Sequence, residues 1–399
     1  MKSVYWKPQK ISRSVLLSVG VLSILGWTLV ELCPNPDPHE ITKHLAVIRA
    51  KELMGVIKQE RLRRNIPIHA SFDVSRSGLV GSPMTMITSR PANLQSKQTS
   101  VNLNFAAVVV DMLSRAGVAA GDTVAVGWSG SFPAFNLAVC AAIEAMELRP
   151  VIIASGTSSQ YGANDPDFMW VDMETTLFRQ ANLEFASAAV SIGGGADRGL
   201  GMSAESIAMV KTAILRNQLP VLESANRKQA IDRRMELYQH LADGHRIAAY
   251  INVGGGVASS GGEKGKHLFK AGLNRQVARQ ALKVDSVMSR FATNDCPIIH
   301  LVEARELAAR FALPIGPTSI STVGAGRAFS STTYNRWLAA GVLCVIVFTL
   351  RSYLLSPLGH WVHAWLKSLW TSGQPRLRVV GEKLVDQKVD LQTEPQLMA

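Results

Sequence analysis

The sequence predicts an α/β protein: a mostly parallel, doubly wound (Rossmann-like) sheet domain between two transmembrane helices. Three observations predict it. Strand-like apolar runs alternate with helical patterns about six times over residues 101–320. Three glycine-rich turns follow directly on such runs, and two apolar stretches, 15–33 and 337–355, bracket the whole. The aromatic share is only 7% against 47% hydrophobic residues, which suits Ala/Val/Ile-rich parallel strands.

In chain order, residues 1–14 form a cytoplasmic N-terminus with Lys2, Lys7, Lys10 and Arg13 ahead of the first span. No Lys or Arg then appears until Lys43, so the positive-inside rule keeps the N-terminus in the cytoplasm. The exit Val30-Glu31-Leu32-Cys33-Pro34 offers no small-x-small cleavage site, which favours an anchor over a signal peptide. Residues 34–100 are read as a helix over 39–64, with Ile41, Leu45, Ile48, Leu53 and Ile57 on its apolar side, followed by an irregular segment. Helices are expected at 105–115, 133–147, 172–180, 204–216, 225–241, 275–291 and 304–311. Strands are expected at 122–126, 150–154, 186–192, 220–222, 246–253 and 297–302. A linker, 321–336, leads to the second span, where Arg351 near the end can snorkel to the headgroups. Residues 356–399 return to the cytoplasm, beginning with an interfacial helix whose Trp361, Trp365 and Trp370 recur at helical spacing.

The net charge of +12 divides as +3 before residue 34, +6 over 34–335 and +3 beyond. Half the excess therefore flanks the spans, where anionic lipid explains it. No nucleic-acid motif accompanies the rest, so lipid is an expected partner and nucleic acid is not. No Gly-x4-Gly-Lys-Ser/Thr stretch is present, which argues against ATP use. The four cysteines have no metal-ligand spacing, so neither a metal nor a cofactor is expected. Cys140 and Cys296 are read as buried thiols, with a disulfide as the alternative.

The glycine-rich turns are Gly127-Trp128-Ser129-Gly130-Ser131, Gly193-Gly194-Gly195-Ala196-Asp197-Arg198-Gly199 and Gly254-Gly255-Gly256. In a parallel sheet all strand ends of one kind share an edge, and ligands bind in the crevice there. Glycine admits close backbone approach, and exposed amides favour anions. The first turn resembles a nucleophile elbow in outline, but Ser131 stands where that elbow needs glycine. Ser129 is therefore open to three readings: nucleophile, anion-binding hydroxyl, or helix cap shared with Ser131. His300, after an apolar strand, is the best-placed base, and His267 follows the third turn. Asn164, Asp165, Asp167, Asp172 and Glu174 follow the second strand and are candidate ligand contacts at that edge; the carboxylates among them could do acid–base work, hold a divalent cation or support a helix start. Arg198 is a candidate fork for a substrate carboxylate, or a local partner of Asp197.

Several of these stretches together resemble one family, the poly-γ-glutamate system proteins. The likeness lies in Ser77-Gly78-Leu79-Val80-Gly81, in Gly127 to Ala134, and most specifically in Tyr161-Gly162-Ala163-Asn164-Asp165-Pro166-Asp167-Phe168-Met169-Trp170-Val171-Asp172-Met173-Glu174. Gly193 to Gly199 and Asn252-Val253-Gly254-Gly255-Gly256 add to it, so it covers most of 66–320. The resemblance implies a bacterial plasma-membrane protein of poly-γ-glutamate (capsule) biosynthesis. Its implied partners are the polymer or a glutamyl precursor and the polyglutamate synthetase and export proteins. It assigns no catalytic residue. An accessory anion-binding domain, a serine-type hydrolase or transferase acting on γ-glutamyl amide bonds, and a scaffold all remain open.

Overall fold

The computed structural model describes residues 13–35, 37–329 and 333–355. It divides into two units, residues 1–35 with 334–399, and residues 36–333. The expected interfacial helix after Pro357 lies outside the described residues.

In the smaller unit the flanking helices run Arg13–Leu32 and Arg336–Leu355 and pack together, with Val342 against Gly26. Among the described residues, no helix is long and apolar enough to cross a membrane. The side chains of 13–15 and 353–355 lie outside the description.

The larger unit opens with α1 (Glu40–Arg63), α2 (Leu94–Ser100) and α3 (Phe105–Ala116). The parallel core follows: β1 (Thr123–Ser129), α4 (Pro133–Ala145), β2 (Arg149–Ser155), α5 (Trp170–Gln180), β3 (Ala189–Ser191), α6 (Ala204–Arg216), α7 (Arg227–Leu241) and β4 (Ile247–Val253). Strand β5 (Gly272–Asn274), helix α8 (Val287–Thr293), strand β6 (Ile298–Leu301) and helix α9 (Ala304–Arg310) complete it. The six strands lie in the order β5-β6-β4-β1-β2-β3, all parallel except the β5 edge.

Period-two alternation explains why helices cover both faces. Val124, Val126, Ile152, Ala154, Ile251 and Ile299 point into one apolar cluster with the helices before β1 and with α4 to α6. Ala125, Val151, Ile153, Tyr250 and Ile298 point into a second, with α7 and α8. Successive strands step one way from β1 to β3, and the chain then returns to place β4 on the other side of β1. That reversal between β1 and β4 leaves a crevice at their C-terminal ends, where open α/β sheets bind ligands.

Four expectations are corrected. The buried face of α1 runs through Lys43, Ala46, Val47, Ala50, Leu53, Met54 and Ile57, while Ile41, Leu45 and Ile48 stand exposed. The reason is a buried lysine: Lys43 Nζ meets Asp37 at 2.6 Å and Asp111 at 3.1 Å, and donates to the Ala328 carbonyl. Residues 220–222 contribute only an isolated bridge from Val221 to Val190, because Pro220 has no N–H to donate. The helix expected over 275–291 is replaced by a short turn of helix and α8, which restarts where the Ser286 hydroxyl caps Ser289 N. The irregular 66–100 segment contains α2, capped by Asn93 Oδ1 on Ser96 N at 2.9 Å. Cys140 and Cys296 are both buried free thiols.

Candidate functional site

The exits of β1, β2, β3 and β4 converge on one cleft of about 200 Å³. Ser129 and Ser131 come from the first glycine turn, Gly193, Gly194 and Asp197 from the second, and Gly255 and Gly256 from the third. The closeness of β1 and β4 is direct: a Cβ on Gly254 (φ +89°) would stand 3.3 Å from Ser129 Oγ. Gly193 and Gly194 hold φ of +84° and +68°, so the second turn folds back on itself in a conformation that side chains resist.

Neither serine of the first turn caps α4; its N-cap position is Phe132, without a side-chain bond. Ser129 Oγ instead accepts from Ser131 N at 3.3 Å, and Ser131 Oγ accepts from Ser159 N at 3.2 Å. His300 lies a layer deeper, fully buried in β6 beside Asn252, whose amide nitrogen is 2.9 Å from Nδ1. Burial, then the Lys266 charge, lower its pKa to about 3, with a smaller opposing pull from the Lys266 backbone. No hydrogen bond joins His300 to Ser129, so the expected nucleophile–base pair is not assembled. His267 is exposed.

The carboxylates after β2 are structural. Asn164 is wholly buried and clasps Ser82 through N–H and carbonyl, at 3.0 and 2.8 Å. Asp165 accepts the Asp167 amide at 3.0 Å. Asp172 accepts Met169 N at the start of α5 and pairs with Arg216 at 2.5 Å. Glu174 is buried against Ser187, whose N–H and hydroxyl both donate to Oε1 at 3.0 Å. Burial pushes its pKa up to about 8, so it is a neutral acid at pH 7. None of these residues, Asp167 included, lines the cleft.

Several glycines of the turns act in packing. Gly127 leaves room for the Tyr250 hydroxyl, which would stand 2.2 Å from an added Cβ. Gly130 faces Ser158 and Ala163, and a Cβ on Gly195 would meet the Leu200 carbonyl at 2.3 Å. Arg198 is exposed and lines a separate hollow with Lys211 and Glu223. Asp197 pairs instead with buried Arg234 at 2.7 Å and accepts from Ser191 Oγ at 2.8 Å.

Sequence reasoning missed the charged wall opposite these turns. It consists of Arg90, Lys97, Lys266 and Glu303, with Ser155, Thr157 and Ser159 from the β2 exit. Lys266 pairs with Glu303 at 3.1 Å. Lys97 is 2% exposed and donates to the Ser131 carbonyl. Its Nζ is 2.8 Å from Ser159 Oγ and 3.8 Å from the centre of the Phe132 ring. Burial, then the Lys266 charge, lower its pKa to about 7. A short parallel ladder sets Arg90 against Ser159, which fixes both at the rim. The available signals were Asn93 as a helix start and the run Ser155-Gly156-Thr157-Ser158-Ser159 directly after a strand.

The cleft therefore combines backbone at glycines, hydroxyls and basic groups, with its one deep carboxylate neutralised by Arg234. Such a surface suits an anion. Among the described residues, no group of three or more His, Cys, Asp or Glu side chains could hold a metal ion. No family model, curated protein or solved structure matches the chain.

Proposed function

We propose that this chain is a membrane-anchored accessory component of bacterial poly-γ-glutamate biosynthesis or export, and that its α/β domain holds an anionic ligand in the cleft. The ligand is the polymer's carboxylates or a glutamyl or phosphate-bearing precursor. The single observation that carries the binding reading is the convergence of three glycine turns with Arg90, Lys97 and Lys266 on one cleft. Compensation of Asp197 by Arg234 supports the same reading, because it removes the repulsion an anion would meet. The pathway reading rests on the likeness of the segments within 66–320.

The flanking helices are the proposed anchors, with both termini cytoplasmic and the domain outside. That reading rests on the apolar runs 15–33 and 337–355 of the sequence and on the basic residues that flank them. Large apolar side chains face outward on both, among them Leu17, Ile24, Trp27, Trp337 and Phe348. Membrane lipid and the polyglutamate synthetase and export proteins are the proposed neighbours.

Calorimetric titration of the full chain in detergent micelles against γ-glutamyl oligomers tests the ligand. Saturable heat is expected, reduced by added salt; no heat at millimolar oligomer overturns the reading. A reporter fused at Pro36 tests the sidedness, with activity expected only outside the cytoplasm.

A further inference from the structure

We propose that Lys97 and Ser159 form a base–nucleophile pair that cleaves or transfers an acyl group bearing a nearby carboxylate, from an amide or ester substrate. This rests on the anionic-ligand reading of the cleft and adds chemistry to it.

The partners of Lys97 are what set it apart. A buried lysine is normally held by carboxylates, as Lys43 is by Asp37 and Asp111. Lys97 is just as buried, yet its hydrogen-bond partners are two neutral oxygens, the Ser131 carbonyl and the Ser159 hydroxyl. A neutral amine fits that pair. One N–H goes to the carbonyl, and the lone pair faces the hydroxyl proton. The nearby charges are Arg90, the Lys266–Glu303 pair and the Asp197–Arg234 pair. Burial and Lys266 favour the neutral amine, whereas the Phe132 ring face favours the ammonium. With a pKa of about 7, the base is half available at neutral pH.

Ser159 is held for attack. Its N–H donates to Ser131 Oγ, and the ladder to Arg90 fixes its backbone. Because the Ser131 oxygen already accepts that amide, its own proton is free to meet an oxyanion forming beside Ser159. Arg90 and Lys266 at the rim suit the substrate carboxylate. In the first step Ser159 Oγ gives its proton to Lys97 Nζ and bonds to the acyl carbon, while the carbonyl π pair moves to oxygen. As the carbonyl re-forms, the bond to the leaving amine or alcohol breaks, and that group takes the proton from Nζ. Water or an acceptor amine then gives a proton to Nζ and attacks the Ser159 ester; as the carbonyl re-forms, the bond to Oγ breaks and Oγ takes that proton back from Nζ.

The test treats the full chain in micelles with a fluorophosphonate and maps the adduct by peptide mass. One adduct on Ser159 is expected, with a rate that rises about tenfold per pH unit below pH 7 and levels off above it. Ser159→Ala should abolish the adduct, and Lys97→Met should slow it by at least about 100-fold. No adduct, an adduct on Ser129, or a wild-type rate in Lys97→Met overturns the proposal. If circular dichroism shows Lys97→Met unfolded, the wild-type profile decides, and a flat one overturns the pair. Oligomer binding by the wild type, measured alongside, separates the two readings: binding without an adduct removes only the chemistry, and no binding removes the ligand.

Discussion

Asp197 and Arg234 meet at 2.7 Å beneath the cleft, 3% and 2% exposed. Removing one partner of a buried pair strands the other charge, which typically costs about 3–5 kcal/mol. Arg234→Met should therefore lower stability by that order in urea unfolding of the full chain. Adding Asp197→Asn should recover much of the loss, since no bare charge then remains. The single variant should also bind γ-glutamyl oligomers more weakly, because an uncompensated carboxylate faces the ligand.

Lys97 makes anion affinity depend on pH. Its charge is present below about pH 7 and absent above it. The ligand's carboxylates stay ionised throughout. Affinity for a γ-glutamyl oligomer should fall by up to about tenfold between pH 6 and pH 8. Titration in two buffers of different ionisation heat should show proton uptake on binding near pH 7.5. Lys97→Gln should bind more weakly at pH 6 and lose both dependences.

The alternation of strands and helices was legible because each strand is buried on both faces and each turn is marked by glycine. The shared rim followed from parallel topology alone, which is why Ser129, Gly193 and Gly255 were found together. What pattern could not supply was the solvent exposure of polar groups. Lys97 sits in the polar run Gln95-Ser96-Lys97-Gln98 and gives no hint of burial. Asp172 and Glu174 look like site carboxylates by type and place. Only tertiary partners, Arg216 for one and Ser187 for the other, show them to be structural. Ile41, Leu45 and Ile48 mark an apolar stripe that the fold leaves exposed, because the Lys43 ion pairs fix the opposite face inward.

Glu174 gives a stability signature. Its folded pKa of about 8 lies above the ordinary 4.5, so the native state holds a proton that the unfolded chain has released. Its contribution is complete below pH 4.5 and is lost as pH rises through 8. The slope is at most about 1.4 kcal/mol per pH unit. Glu174→Gln keeps an acceptor for the Ser187 donors and cannot ionise. Its urea midpoint should match the wild type near pH 4 and exceed it by pH 8. Comparing the two chains cancels the titrations of Lys97 and His300.

Gly81 ties the loop that carries Ser159 to the rest of the domain. Its N–H donates to the Tyr161 carbonyl at 3.1 Å, and Ser82 N donates to Asn164 Oδ1 at 3.0 Å. An added Cβ would stand 2.0 Å from the Gly162 carbonyl oxygen and 2.4 Å from Asn164 Oδ1. Neither atom can yield without moving residues 158–164. Gly81→Ala should therefore lower stability by about 1–3 kcal/mol. It should also slow fluorophosphonate labelling, because Ser159 would shift from Lys97. Gly55→Ala is the matched opposite: Gly55 lies within α1, and its added Cβ meets nothing within 4 Å. There the methyl only restricts the unfolded chain, and a gain of about 0.5–1 kcal/mol is expected with labelling unchanged. Opposite signs for one chemical change would place the Gly81 effect in the clasp rather than in glycine itself.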